Sequence, residues 1–134
     1  MSGNVKFAHL IEAIVYIAIN AKPNAVRGTE ICNSLKLPPR YLENSLQELV
    51  HRGVLRSVRG PKGGYVLAKE RRNITLSDIY EAVKAEDKPA GDNYVWTALK
   101  AAEEKFREEL AKITVESLCL KAGAGTPQKA DFTI

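Results

Sequence analysis

Cysteine is scarce in this chain of 134 residues: there are two, Cys32 and Cys119, far apart in sequence. That spacing is neither a disulfide framework nor a metal-binding motif. Histidine is as rare, and His9 and His51 stand in no metal-ligand spacing. Long apolar runs are missing too. The most apolar stretch, around Leu10 to Ile19, is too short and too interrupted to span a bilayer. Lys6, His9 and Glu12 break up its surroundings and no clear small-residue cleavage site follows, so no signal peptide is expected. The expected location is the cytoplasm, with no membrane partner. Nor is there a nucleophile–base pair or a phosphate-cradling loop that opens a helix. The GPKGG run at 60–64 joins two strand-like segments, which a nucleotide loop does not do. Enzyme chemistry has no support in these residues.

What is present is an ordinary globular composition, 45% hydrophobic and 27% charged. A domain of this size buries roughly two thirds of its unfolded surface, so its core needs no covalent staples. The net charge of +4 is unevenly placed. Residues 1–75 carry twelve Lys/Arg against five Asp/Glu, whereas residues 76–134 carry eight against eleven. Between positions 52 and 72 there are seven basic residues and one acid, Glu70. A basic half beside a mildly acidic one suggests a polyanion-binding part and a part with another task. Charge alone leaves an ordinary solvated surface open.

Phe7, Leu10, Ile11, Ile14, Val15 and Ala18 recur at helical spacing and predict an amphipathic helix over about 5–20. Thr29 is a candidate cap for a short second helix with Ile31 and Leu35 inward. After Pro38, a third helix is expected from about Pro39 to Arg52, with Leu42, Leu46, Leu49 and Val50 buried and Gly53 as a left-handed stop. This is a helix-turn-helix pattern. The outward positions of the third helix are Arg40, Tyr41, Glu43, Asn44 and Gln47, all able to hydrogen-bond and crowded toward the N-terminal half, where a recognition helix reads bases. A solvent-facing side is the bland alternative.

Val54–Arg59 and Tyr65–Ala68 read as a β-hairpin whose tip is residues 60–64. Three helices then a hairpin is the order of a winged helix. Gly60 and its neighbours let the tip approach a phosphate chain, and Arg56, Arg59 and Lys62 supply positive charge beside it. Ile74–Asp78 opens a fourth helix, with Thr75 and Asp78 as a capping box and Leu76, Ile79 and Val83 inward. The expected fold class is mainly α with a small β-hairpin. The winged domain covers 1–84, a loop 85–92, a long dimerisation helix and its end 93–120, and a flexible tail 121–134. In the long helix, Leu99, Ala102, Phe106, Leu110 and Ile113 recur every three or four residues and, with Trp96, are expected to pair with a second copy. Folding back on the winged domain is the alternative.

The blocks RYLE, SVRGPKGGYVLA and ITLSDIYEAV stand in this order within 40–83. They make residues about 5–84 resemble the bacterial winged-helix regulators of the iron–sulfur cluster regulator family; TVESL at 114–118 matches more loosely. The resemblance implies a homodimeric transcription factor, expected to be a repressor, on a two-fold symmetric stretch of double-stranded DNA. Carried over by position, Arg40, Tyr41, Glu43 and Asn44 face bases or nearby backbone, Arg59 approaches the minor groove, and Thr29 and Lys36 touch phosphates. Glu43 would accept from cytosine or reject wrong sequences; its other role is a surface salt bridge. Members that hold a cluster do so with three cysteines between the fourth and long helices. Here that segment reads KAEDKPAGDNYVWTALK, with Tyr94 and Thr97 where ligands would stand. A cluster wants thiolates, so no cofactor is expected. Regulation by another small molecule or by a partner protein stays open, as does a winged-helix module for protein–protein contact. Cys32 and Cys119 are expected to be buried small hydrophobes rather than switches.

Overall fold

Helix α1 (Ser2–Asn20) buries Phe7, Leu10, Ala13, Ile14 and Ile17 in the core. The stripe is rotated slightly from the expected one, since Ile11, Val15 and Ala18 are only half-buried at its margin. In this computed structural model residues 2–84 and 93–123 are described. Helix α2 (Gly28–Leu35) buries Ile31 and Cys32 and ends on Lys36 at φ 59°. There the Lys36 and Leu37 amides return to the carbonyls of Asn33 and Cys32, which satisfies the last turn. Its N-cap is Arg27 without a side-chain bond, so Thr29 lies inside the first turn rather than capping it.

Helix α3 (Glu43–His51) is shorter than expected. The Tyr41 amide bonds the Pro38 carbonyl and the Glu43 amide bonds that of Arg40, both three residues back. Two consecutive prolines withhold the donors a regular first turn uses, so residues 39–42 wind as tight turns. Leu42, Leu46 and Leu49 still face inward at 0–1% exposure, each contributing about 1.5–3 kcal/mol of burial. Gly53 stops the helix at φ 82°, as predicted.

Strands β1 (Leu55–Val58) and β2 (Gly64–Leu67) pair antiparallel, from Leu55 opposite Leu67 to Val58 opposite Gly64. On its other edge β2 gains an isolated bridge with Val26, the Val26 amide donating to the Tyr65 carbonyl at 3.0 Å and the reverse at 2.7 Å. A 3-10 turn (Arg71–Asn73) leads to α4 (Leu76–Tyr80), which opens with the predicted capping box of Thr75 and Asp78.

The expected single long helix is two. Helix α5 (Tyr94–Leu110) stops, and α6 (Val115–Lys121) starts afresh from Thr114, whose hydroxyl accepts from the Ser117 amide. Between them the chain turns back onto the winged domain: the Leu76 amide donates to the Ile113 carbonyl and the Val115 amide to the Ile74 carbonyl. Val115 and Cys119 complete the core at 0% exposure. Two corrections follow. Leu110 is buried in the chain's own core and cannot face a partner, and Ile113 sits in the turn rather than on a helix stripe. The proposed loop at 85–92 and residues 124–134 of the tail expected over 121–134 lie outside the described residues, while Lys121 is the last residue of α6.

Candidate nucleic-acid interface

One open cleft of about 390 Å³ gathers the N-terminus of α2, the turns before α3 and the hairpin tip. Its lining includes Arg27, Thr29, Arg40, Glu43, Gly60 and Gly63. Pro38–Pro39 sets the start of α3 against α2, and the tip is shaped by glycine. Gly60 takes φ 105° and accepts the Gly63 amide at 2.9 Å. At Gly63 a Cβ would lie 2.3 Å from the Val58 carbonyl oxygen, so no larger residue fits that turn.

Among the described residues, several cations of the hairpin and of the end of α2 stand without a carboxylate partner: Lys36, Arg56, Arg59 and Lys62 are exposed and enter no ion pair. Many charges elsewhere are matched: Arg52 with Glu48, Arg71 with Glu116, Arg72 with Glu70, Lys112 with Glu109. Arg107 meets Glu81, Glu103 and Glu104 at 2.7–3.5 Å. Burial pushes the Glu81 carboxyl up, but hydrogen bonds from Lys84 and Arg107 outweigh it and hold the group below its ordinary range. Lys22 and Lys121 are also exposed without an ion pair among the described residues, so the unmatched charge is densest at the hairpin rather than confined to it.

Of the predicted reading residues, Arg40, Glu43 and Asn44 are exposed on or just before α3. Arg40 and Glu43 approach each other at 3.7 Å, a surface pair of little energy that a ligand can open. Thr29 is exposed on the first turn of α2, and Lys36 is exposed at its far end, eight residues beyond the cleft-lining Gly28. Tyr41 is corrected. Its ring packs edge-on against His9 with centroids 5.4 Å apart, its hydroxyl lies 3.2 Å from His9 Nδ1, and Lys6 Nζ sits 5.5 Å from the ring centroid. Half-buried on α1, it holds the start of α3 rather than pointing outward.

Two features went unpredicted. The Arg27 guanidinium donates to the Pro61 carbonyl at the hairpin tip. Gln47 Nε2 donates to the Tyr65 hydroxyl at 2.9 Å, joining α3 to β2; burial raises the Tyr65 phenol while Gln47 opposes it. These partners lie 34 and 18 residues apart, beyond the reach of local pattern.

On α5, Tyr94, Val95, Trp96, Leu99 and Phe106 are exposed by 36–86%. Ala102 is exposed beside them. The helix is held to α4 by the Arg107–Glu81 pair, by the Tyr80 hydroxyl donating to Glu103 at 3.0 Å, and by edge-on Tyr80 and Phe106 rings, Phe106 standing at the border of the exposed side.

A family profile described as Rrf2, iron-dependent transcriptional regulator, matches residues 4–121. The chain belongs to the Rrf2 family. An HTH-type regulator of Aquifex aeolicus is 41% identical over 80 residues, 60% of this chain and 54% of that protein. The HTH-type transcriptional regulator IscR of Escherichia coli is 31% identical over 78 residues, 58% of this chain and 48% of its own. The chain thus spans about half the length of the curated relatives it matches. Among solved structures, T. potens IscR superimposes with a TM-score of 0.70 at 26% identity, covering 87% of this chain and 85% of that one. Oxidised CymR of Staphylococcus aureus, at 24% identity and TM-score 0.66 over 85% and 92% of the two chains, shares the fold. The winged-helix architecture of this Rrf2 member is therefore the family's.

The profile's description names iron, yet the residues do not fit a cluster. Segment 84–100 holds neither Cys nor His. The two cysteines are buried on separate helices, α2 and α6. Burial pushes the Cys119 thiol up although Arg71 lies against it, which is the reverse of a ready thiolate. Among the described residues no three His, Cys, Asp or Glu side chains converge as a metal site. No described helix is long and apolar enough to cross a membrane.

Proposed function

We propose that this Rrf2-family chain is a sequence-specific DNA-binding transcriptional regulator, a homodimer that represses from a palindromic site without an iron–sulfur cluster. The observation that carries this reading is the set of unmatched cations on the hairpin, Arg56, Arg59 and Lys62, with Arg27 beside its tip. Phosphate chains attract Lys and Arg, whereas a protein interface is built on apolar anchors. The exposed start of α3 offers Arg40, Glu43 and Asn44 to the major groove, and the hairpin, as a wing, offers Arg59 and Lys62 to the minor groove or its phosphates. Thr29, Lys36, Arg56 and Gly60 border the backbone. The exposed apolar side of α5, with Trp96, Leu99, Ala102 and Phe106, is the surface for the second copy. Two heads on one duplex need half-sites about 34–36 Å apart, or a multiple of that.

Selection of bound sequences from random duplex DNA tests the reading. The expected product is an inverted repeat whose affinity falls steeply with salt, with a slope of about 0.9 per phosphate contact. Recovery of no motif, together with binding indifferent to salt, refutes it.

A further inference from the structure

We infer that Arg27 and Gln47 are positioning residues that brace the wing before any duplex arrives; this rests on the DNA-binding reading above. A two-stranded hairpin is marginally stable by itself, and this one has four paired positions per strand and a five-residue tip, 59–63, exposed at all but Gly63. The bridge to Val26 anchors only the start of β2. The tip and the outer side are fixed by two further bonds from outside the hairpin. Arg27, at the N-cap of α2, reaches across to the Pro61 carbonyl. Gln47, on the exposed side of α3, reaches the Tyr65 hydroxyl at 2.9 Å.

Arg27 has no carboxylate partner among the described residues, and its acceptor is a neutral carbonyl. Its charge therefore remains at the mouth of the cleft while its fork orients the tip. Gln47 fixes a different quantity, the angle between α3 and β2. Together the two bonds set the relative placement of the elements proposed to enter the two grooves. A wing that is already ordered loses less conformational freedom on binding, so removal of one bond is expected to weaken binding by about threefold to tenfold.

The test uses the full-length protein in three forms beside wild type: Arg27→Ala, Gln47→Ala and Tyr65→Phe, the last removing one oxygen atom. First, without DNA, trypsin cleavage after Arg59 and Lys62 is timed under native conditions by mass spectrometry. Each variant should keep its thermal midpoint within a few degrees and be cut in the wing several-fold faster. Second, affinity for the selected duplex is measured across salt. Gln47→Ala and Tyr65→Phe should bind about threefold to tenfold more weakly with an unchanged salt slope, since neither alters charge. Cleavage at the wild-type rate overturns the brace for the residue concerned. Faster cleavage with wild-type affinity overturns its part in binding. If wild type selects no duplex, the DNA-binding reading fails and the positioning role falls with it, while the cleavage rates still decide whether the brace exists.

Discussion

Gly64 is a position at which one methyl group should do large damage for its size. Its φ is 143°, and a Cβ built there lies 2.4 Å from the Val26 carbonyl oxygen, 2.5 Å from that carbonyl's carbon and 2.8 Å from the Arg27 nitrogen. All three are backbone atoms, so no side-chain rotation makes room. For alanine to fit, the Val26 segment must move off β2 and lose both bonds of its bridge with Tyr65. Two such bonds contribute about 0.5–1.5 kcal/mol each, and holding alanine at that φ costs about 1–3 kcal/mol. Gly64→Ala should therefore destabilise by about 4 kcal/mol, a large part of the roughly 5–15 kcal/mol that holds a domain folded. Gly60→Ala is the control: its φ of 105° carries similar strain, but nothing lies within 4 Å of the added methyl. Equilibrium urea unfolding, followed by far-ultraviolet circular dichroism, should separate the two by about 2 kcal/mol, the value of the lost bridge. A Gly64→Ala protein no less stable than Gly60→Ala refutes the close approach and with it the anchoring of β2 by Val26.

The remaining expectations concern the proposed activity and the α4–α5 junction. Arg59→Ala should lower affinity for the selected duplex and reduce its salt slope by about one; an unchanged slope removes Arg59 from the phosphates. Glu43→Ala should broaden the selected motif, with discrimination falling by about 1–3 kcal/mol at the affected base pair; an identical motif shows that Glu43 only pairs with Arg40. Leu99→Glu places a charge on the exposed side of α5 and should shift sedimentation toward monomer; a wild type that is itself monomeric at micromolar concentration ends the dimer proposal. Glu81 is held below its ordinary range near 4.3, so its stabilisation is present above that value and is lost as pH falls through the lowered one. Arg107→Ala should remove part of that acid sensitivity, and parallel pH–melting curves for the two proteins would show that the pair contributes nothing.

The winged domain was legible because its signals are local. Pro38–Pro39 and Gly53 bracket α3, Thr75 and Asp78 cap α4, and the glycine-rich tip divides β1 from β2. Each acts within a few residues through backbone angles or a short hydrogen bond. The C-terminal part misled for the same reason. Leu99, Phe106, Leu110 and Ile113 keep helical spacing whether the helix continues or stops, and the cap at Thr114 is weaker than a continuous stripe as a sequence signal. Local pattern places Tyr41 among the outward positions because its partner, His9, is 32 residues away.

From the chain alone follow the order of the elements, the basic character of the first half and the absence of thiolates where a cluster would be held. All three depend on residue type and neighbouring positions. Folding in three dimensions decided which cations stay unmatched, which apolar residues of 94–113 remain exposed and which join the core, and how Arg27 and Gln47 meet the wing. Those outcomes depend on contacts between segments distant in sequence, where burial and hydrogen-bond geometry choose among partners that local pattern leaves equivalent.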